Sequence, residues 1–291
     1  MFDWLFGAKC PVTSPQKVWL EKGLDWLGGQ FGVRRMLARP IILPTPEYFP
    51  DPYDGTFDAA RRLFERVCGF MEVNRDRVVL SSFTNQRDRM PLHLREGRSE
   101  GAAGLYQQDE WGRTHIGIDE QQLANPMSLV GTFAHELGHV HLLGDGRLSP
   151  NSPDHEPMTD LLTVMYGLGV FTANSVIQES NWSDGVHAGS SIGRQGYLTG
   201  PEYGYALALL AHARGESKPA WARHLRLDVR SVLKRGLRYL HRDGEIRCLD
   251  ASKEVPTATE DDPVPWFRPK PASGDEPDDD LPPWAKKRGH K

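Results

Sequence analysis

The chain has little cysteine: Cys10, Cys68 and Cys248 are the only three, and they are far apart in the sequence. This spacing gives no CxxC pair and no disulfide framework, which is typical of a reducing compartment. No run of about 18 apolar residues is present, so we expect no membrane-spanning helix. The N-terminus, MFDWLFGAKCPV, lacks the basic segment and the long apolar run of a signal peptide. We therefore expect a cytoplasmic protein without a membrane partner.

The chain also lacks an excess of positive charge. Its formal net charge is -4, so no overall basic field attracts nucleic acid, and we expect none as a partner. Residues 223–242 do carry seven Lys or Arg, but this segment fits a solvated helix face better than a phosphate-binding one. A length of 291 residues with 38% hydrophobic residues suits one large domain, or two lobes around a cleft, with a sizeable core.

The composition changes beyond about residue 250. Residues 251–291 hold eight of the 22 prolines and few apolar residues, so they cannot bury enough surface to offset the entropy of ordering. We expect a folded domain over 1–250 and a disordered tail over 251–291. Two Pro-Trp elements of the tail, Val264-Pro265-Trp266 and Pro283-Trp284, are candidate contacts for a protein partner.

Apolar spacing and capping residues predict the local structure of the first 250 residues. Six helices are predicted, at 14–31, 56–71, 126–142, 156–170, 201–214 and 227–241. Ser14, Thr56 and Asn125 are the candidate N-caps, and Gly144 is the candidate stop for the third helix. A short strand is predicted at 77–83, and GLYQ (104–107) and RTHIGI (113–118) flank a hairpin turn. Residues 171–200, rich in Gly and Ser, are predicted to be irregular.

The third predicted helix contains the motif HELGH at 135–139. Residues four apart on a helix differ by about 40° of rotation and about 6 Å of rise, so His135 and His139 present their imidazoles to one point. Two imidazoles so placed suit one tetrahedral zinc ion. Glu136 then lies beside the open coordination position, where it can act as the base for water. The other interpretation is a core helix with two hydrogen-bonded histidines.

A third ligand is needed, and EPMTD begins 17 residues after His139. With HELGH, this segment resembles the gluzincin metallopeptidases, whose pattern is HExxH followed by ExxxD on a second helix. The resemblance implies that Glu156 is the third zinc ligand and that Asp160 accepts a hydrogen bond from His135. Proline is unfavourable in the interior of a helix, so Pro157 requires that Glu156 lies in the first turn or at the cap. The resemblance covers residues 104–170, and the hairpin within this span corresponds to the substrate-aligning edge strand of the family.

Other ligands remain open. The metzincin pattern HExxHxxGxxD places Asp145 at the third ligand, but its glycine would fall at 142, which is Leu142. His141 points to another helix face than His139. A thiolate of Cys10 that masks the metal is the least favoured alternative.

Five downstream residues are candidates for stabilising the oxyanion of a transition state: His187, Tyr197, Tyr203, Tyr205 and His212. For each of them a structural role is favoured over a catalytic one.

These patterns together predict an α+β, zincin-like fold, with a small N-terminal sheet over the HELGH helix and a mainly helical C-terminal lobe. The predicted function is that of a zinc metallopeptidase in which Glu136 deprotonates water, and the substrate is a peptide or protein. Two alternatives stay open: a zinc hydrolase of another amide or ester, and a non-catalytic binding module with a structural zinc.

Truncation tests the predicted domain boundary. Deletion of residues 252–291 is expected to leave folding and zinc binding unchanged, because the segment lacks core-forming residues. The measurement is the melting temperature of both chains, with zinc content as a second readout. A large drop in melting temperature would show that the segment packs on the domain.

Overall fold

The computed structural model describes residues 9–83, 104–108, 113–183, 188–194, 197–243 and 248–250. These parts of the chain are mixed α and β and mainly helical, in agreement with the predicted α+β class. The predicted tail, 251–291, lies outside the described residues. The helices are α1 (Ser14–Phe31), α2 (Val33–Ala38), α3 (Phe57–Phe70), α4 (Pro126–His139), α5 (His155–Met165), α6 (Gly169–Ser175), α7 (Gly200–Ala213) and α8 (Leu227–Asp243). The strands are β1 (Val78–Phe83), β2 (Gly104–Gln108), β3 (Thr114–Asp119), β4 (Ile177–Ser183) and β5 (Ala188–Arg194).

Three strands form a mixed sheet in the order β1-β3-β2. β1 runs parallel to β3, whereas β2 pairs with β3 as the antiparallel hairpin that the sequence predicts. Among the described strands, β3 is therefore central and β2 lies at one edge of the sheet, beside α4. The prediction of irregular structure over 171–200 is wrong, because α6 ends at Ser175 and β4 and β5 form a second, antiparallel pair. Antiparallel pairing satisfies the backbone groups of this Gly- and Ser-rich segment without the apolar alternation by which strands are recognised.

Capping side chains determine where the helices begin. Thr56 and Asn125 cap α3 and α4 as predicted: Thr56 Oγ1 accepts from Ala59 N at 3.2 Å, and Asn125 Oδ1 accepts from Ser128 N at 3.1 Å. For α1 the predicted cap is wrong by one residue. The N-cap is Thr13, one residue before the predicted Ser14. Ser14 is therefore the first helical residue and Pro15 the second.

The HELGH helix is the centre of the core. α4 contacts α3, α5 and α6, and its apolar residues Leu129, Val130, Phe133 and Leu137 are fully buried. Small residues permit this packing: a methyl group added to Gly138 would lie 2.7 Å from Cγ2 of Thr159 on α5. α4 thus approaches α5 closely at the end that carries the motif.

The motif helix does not end as a simple α-helix at a glycine. After His139 the chain continues as a π-helical turn, Val140–Gly144, in which Asp145 N donates to Val140 O at 3.0 Å. This wider turn changes the direction of the residues that follow the motif. Among the described residues, no helix has the length and apolar character needed to cross a membrane.

A single helix was predicted over 156–170, but a glycine divides it. Gly167 lies between α5 and α6 with φ of 82°, in the left-handed region. Its carbonyl accepts from Ile42 N at 2.9 Å, so this turn also holds the extended segment that precedes α3. A methyl group at this position would clash with the carbonyl oxygen of Pro40.

Gly167→Ala is therefore expected to destabilise the fold. The left-handed conformation of a non-glycine residue alone costs about 1–3 kcal/mol, and the clash with Pro40 adds to it. The measurement is the free energy of unfolding in urea. Gly215→Ala is the matched control, because Gly215 has φ of 72° and an added methyl group would have no neighbour within 4 Å. Equal losses in the two variants would contradict a role for the contact with Pro40.

Candidate metal centre

Two helices supply the residues that the motif predicts. α4 carries His135 and His139 one turn apart, with ring centroids 4.7 Å apart and ring planes at 90°. α5 begins at His155, so Glu156 lies in its first turn, as Pro157 requires. The close packing at Gly138 brings that first turn next to the two histidines.

Three donor atoms converge at this point. Glu156 Oε2 lies 3.0 Å from His135 Nε2 and 3.4 Å from His139 Nε2. One ligand atom from each of the three residues lies within 4.8 Å of both of the others. Zinc bonds of about 2.0–2.2 Å in a tetrahedron place ligand atoms about 3.4 Å apart. The donor types and the spacing therefore fit one zinc ion held by His135, His139 and Glu156.

The other nitrogen of each imidazole has a protein partner. His135 Nδ1 donates to Asp160 Oδ1 at 2.8 Å. Thr159 Oγ1 donates to His155 O at 2.7 Å and lies 3.3 Å from His139 Nδ1, which leaves its oxygen to accept from that nitrogen. Both imidazoles thus donate from Nδ1 and turn Nε2 toward Glu156. Such contacts fix the orientation and tautomer of metal-binding histidines.

Asp160 also connects the site to the segment before α7. It is 1% exposed, and its Oδ2 accepts from Tyr197 N at 2.6 Å and from Leu198 N at 2.9 Å. The buried carboxylate therefore has acceptor contacts on both oxygens. Sequence reasoning indicated the contact to His135 but missed Thr159, Tyr197 and Leu198. Their contacts join residues distant in sequence, and two of them use backbone groups that carry no sequence signal.

The electrostatics of the site follow from burial and these contacts. Burial lowers the pKa of His139 below its ordinary value. Burial also acts to lower the pKa of His135, but the contacts with Asp160 and Glu156 outweigh it and hold that pKa well above its ordinary value. Burial acts to raise the pKa of Glu156, but contacts with the two histidines hold it well below the usual range. The Glu156 carboxylate is thus an anion.

Glu136 follows His135 on α4 and is 6% exposed. Burial raises the pKa of Glu136 to about 7, against the opposing effect of His135. A carboxyl group with this pKa exchanges protons near neutral pH, which suits a general acid and base.

The alternative ligands lie elsewhere. Asp145 forms ion pairs with Arg77 at 3.1 Å and with Arg147 at 2.7 Å. His141 Nε2 lies 2.6 Å from Met71 O, and its ring stacks on Tyr166 with centroids 5.1 Å apart. Cys10 packs against the hydrophobic core. Among the described residues, none of these three belongs to the metal-binding group.

The candidates for stabilising an oxyanion differ in their burial and in their contacts. Tyr203 is 1% exposed and Tyr205 is fully buried, with its hydroxyl on Glu21 at 3.0 Å. His212 pairs with His241 of α8, at 5.4 Å between centroids. Two of the described candidates adjoin the site. Tyr203 hydrogen-bonds to Asp160, whereas Tyr197, which is 45% exposed, stacks its ring on His135 at 5.9 Å between centroids. His187 lies outside the described residues.

We found no match to this chain among protein-family models, curated proteins or solved structures. A metal at this site is thus inferred from the donor atoms of the chain itself.

Zinc titration of alanine variants tests the third ligand. Glu156→Ala is expected to lose zinc almost completely, because it removes one of three donors. Asp160→Ala is expected to weaken zinc binding by about 10–100-fold, the usual loss when the partner of a ligand is removed. Asp145→Ala is the control and should change little, because its carboxylate is paired with arginines.

Because Asp160 is deeply buried, Asp160→Asn is the companion variant that keeps its shape. Its melting temperature separates lost zinc affinity from lost folding. If Asp145→Ala empties the site while Glu156→Ala stays loaded, the assignment of Glu156 is wrong.

Proposed function

We propose that this protein is a zinc-dependent hydrolase that cleaves peptide bonds. The observation that carries the proposal is the convergence of His135 Nε2, His139 Nε2 and Glu156 Oε2 beside a buried Glu136. Three protein ligands are the number that catalytic zinc sites use, since a structural site is closed by a fourth. A zinc ion held here would act as a Lewis acid and lower the pKa of its bound water to about 7.

The chain itself supplies the proton transfers. Glu136 accepts a proton from the attacking water and returns it to the nitrogen of the leaving amine. Burial raises the pKa of Glu136 and a bound cation acts in the opposite direction, so the group can gain and then lose a proton near neutral pH. His135 and His139 stay fixed throughout, since Asp160 and Thr159 hold their Nδ1 atoms.

The arrangement of elements supports a zincin-like fold of the gluzincin type. The motif helix α4 is central, the mixed sheet lies beside it through β2, and α5 presents Glu156 from its first turn. A gluzincin places its ExxxD on a second helix in this manner, and the Asp160 contact with His135 follows the same pattern.

The edge strand favours a peptide as the substrate. β2 pairs on one side with β3 and lies beside the motif helix, and within the described part of the chain its other side is an edge of the three-stranded sheet. An extended peptide can add to such an edge through main-chain hydrogen bonds, which places a peptide bond near α4. Three free cysteines fit a reducing compartment, so we propose that the reaction takes place in the cytoplasm.

The buried acid argues against a non-catalytic zinc module. A structural zinc site has no use for Glu136, and burial of a carboxyl group without a compensating role is unfavourable. Hydrolysis of another amide or of an ester would use the same groups, and substrate profiling separates these reactions from peptide cleavage.

Glu136→Gln tests the chemistry directly. The variant is expected to retain zinc but to lose about 10²–10⁴-fold in turnover, because an amide cannot accept the proton of water. The measurement is hydrolysis of a peptide library by the zinc-loaded chain, followed by mass spectrometry. Zinc content is measured on the same samples.

Glu120→Gln is a control for this variant, since Glu120 lies outside the site, at the end of the sheet. Unchanged turnover in Glu136→Gln, on any substrate that the wild type cleaves, would remove Glu136 from the mechanism. Cleavage of esters or non-peptide amides alone would favour the other hydrolase.

A further inference from the structure

A third histidine, His155, has the same arrangement of ring nitrogens as the two histidines of the motif. Its Nδ1 lies 2.7 Å from the carbonyl oxygen of Ser152, and its Nε2 lies 3.3 Å from Glu156 Oε1. A carbonyl oxygen only accepts, so the proton of the neutral imidazole must be on Nδ1. Metal-binding histidines commonly donate this second nitrogen to a backbone carbonyl.

The two oxygens of the Glu156 carboxylate face different histidines. Oε2 faces His135 and His139, whereas Oε1 faces His155. His155 does not belong to the group of three that shares one point, so its Nε2 serves a different position from the first ion. His139 and His155 are separated by 6.1 Å between ring centroids.

The contact between His155 and Glu156 brings together two atoms that both bind metals. Because Nδ1 of His155 faces the carbonyl of Ser152, Nε2 is the ring nitrogen that remains for an ion. The separation of 3.3 Å is close to the spacing of two donors on one tetrahedral ion, about 3.4 Å for bonds of about 2.0–2.2 Å. Two metal-binding atoms therefore face a common position on the outer side of the carboxylate.

We propose that His155 Nε2 and Glu156 Oε1 form a second divalent-cation site, bridged to the first by the Glu156 carboxylate. The inference rests on the proposed function, because the first ion shares Glu156. Bridged ions in two-metal sites lie about 3.5–4 Å apart. The second site takes zinc or another metal that accepts imidazole and carboxylate.

The second site is the weaker one. The described residues offer it two donors, against three at the first, and the two positive ions repel each other across one carboxylate. By reciprocity the second ion also loosens the first. The second position is thus filled at excess metal, and the affinity of the centre responds to the supply of zinc.

Calorimetric titration of the full-length, metal-depleted chain with zinc tests this proposal. The wild type is expected to bind in two steps, a tight one and a weaker one. His155→Gln should lose the weaker step and keep the tight one, because Gln offers no imidazole nitrogen while the three first donors remain. Melting temperature checks that the variant folds.

The control is His212→Gln. His212 and His241 form a rival pair of histidines, with centroids 5.4 Å apart on α7 and α8, and the control removes one of them. Under the proposal His212→Gln retains both steps. Loss of the weaker step in His212→Gln in place of His155→Gln would overturn the proposal, since the second ion would then lie between α7 and α8.

Cobalt(II) provides a second readout, independent of activity. Two cobalt ions joined by a carboxylate couple magnetically, so the electron paramagnetic resonance signal of the first ion should weaken as the second binds, and not in His155→Gln. A single step in both chains would mean that no second ion binds, and the proposal would be wrong. Weakening of the tight step by His155→Gln would also overturn it. Absence of any zinc binding would instead contradict the proposed function.

Discussion

The close contact of α4 with α5 is the constraint on which the site depends. Gly138 has no side chain where Thr159 Cγ2 packs, and any larger residue would push the two helices apart. At this separation the first turn of α5 lies beside the imidazoles of α4, and the hydroxyl of Thr159 reaches His139. One packing contact thus sets both the distance between the donors and the orientation of a ring.

The second requirement is to keep buried charges compensated. Asp160 is almost fully buried, and its carboxylate contacts one imidazole, two backbone amides and the side chain of Tyr203. Glu136 has no such set of hydrogen bonds among those that the structure describes, and burial raises its pKa. Burial without such contacts leaves Glu136 with the raised proton affinity that acid–base chemistry requires.

Local features of the fold were predictable from the sequence, and nonlocal ones were not. The helix predicted over 126–142 and its cap at Asn125 depend on residues within a few positions of one another. The cap and the α-helix as far as His139 are confirmed, whereas residues 140–142 lie in the π-helical turn. The strands within 171–200 were missed because their pairing uses backbone groups. The division of the predicted helix 156–170 at Gly167 depends on Pro40 and Ile42, which are distant in sequence.

The same distinction applies to the candidate site. Spacing alone placed His135 and His139 on one helix face, and the resemblance to gluzincins pointed to Glu156 and Asp160. The position of His155 was not predicted, although it directly precedes Glu156. A single histidine has no periodic signal, and its tautomer is set by the carbonyl of Ser152 in a loop.

The position of Glu156 in the first turn of α5 has a kinetic consequence. Helix ends fray more readily than helix centres, so this turn can open while α4 and the core stay folded. An ion held here would leave through local opening of a few residues, and its exchange rate would be largely independent of global stability. Ligand exchange and unfolding would then occur on separate timescales, and a thermally robust chain could still equilibrate quickly with the surrounding pool of metal.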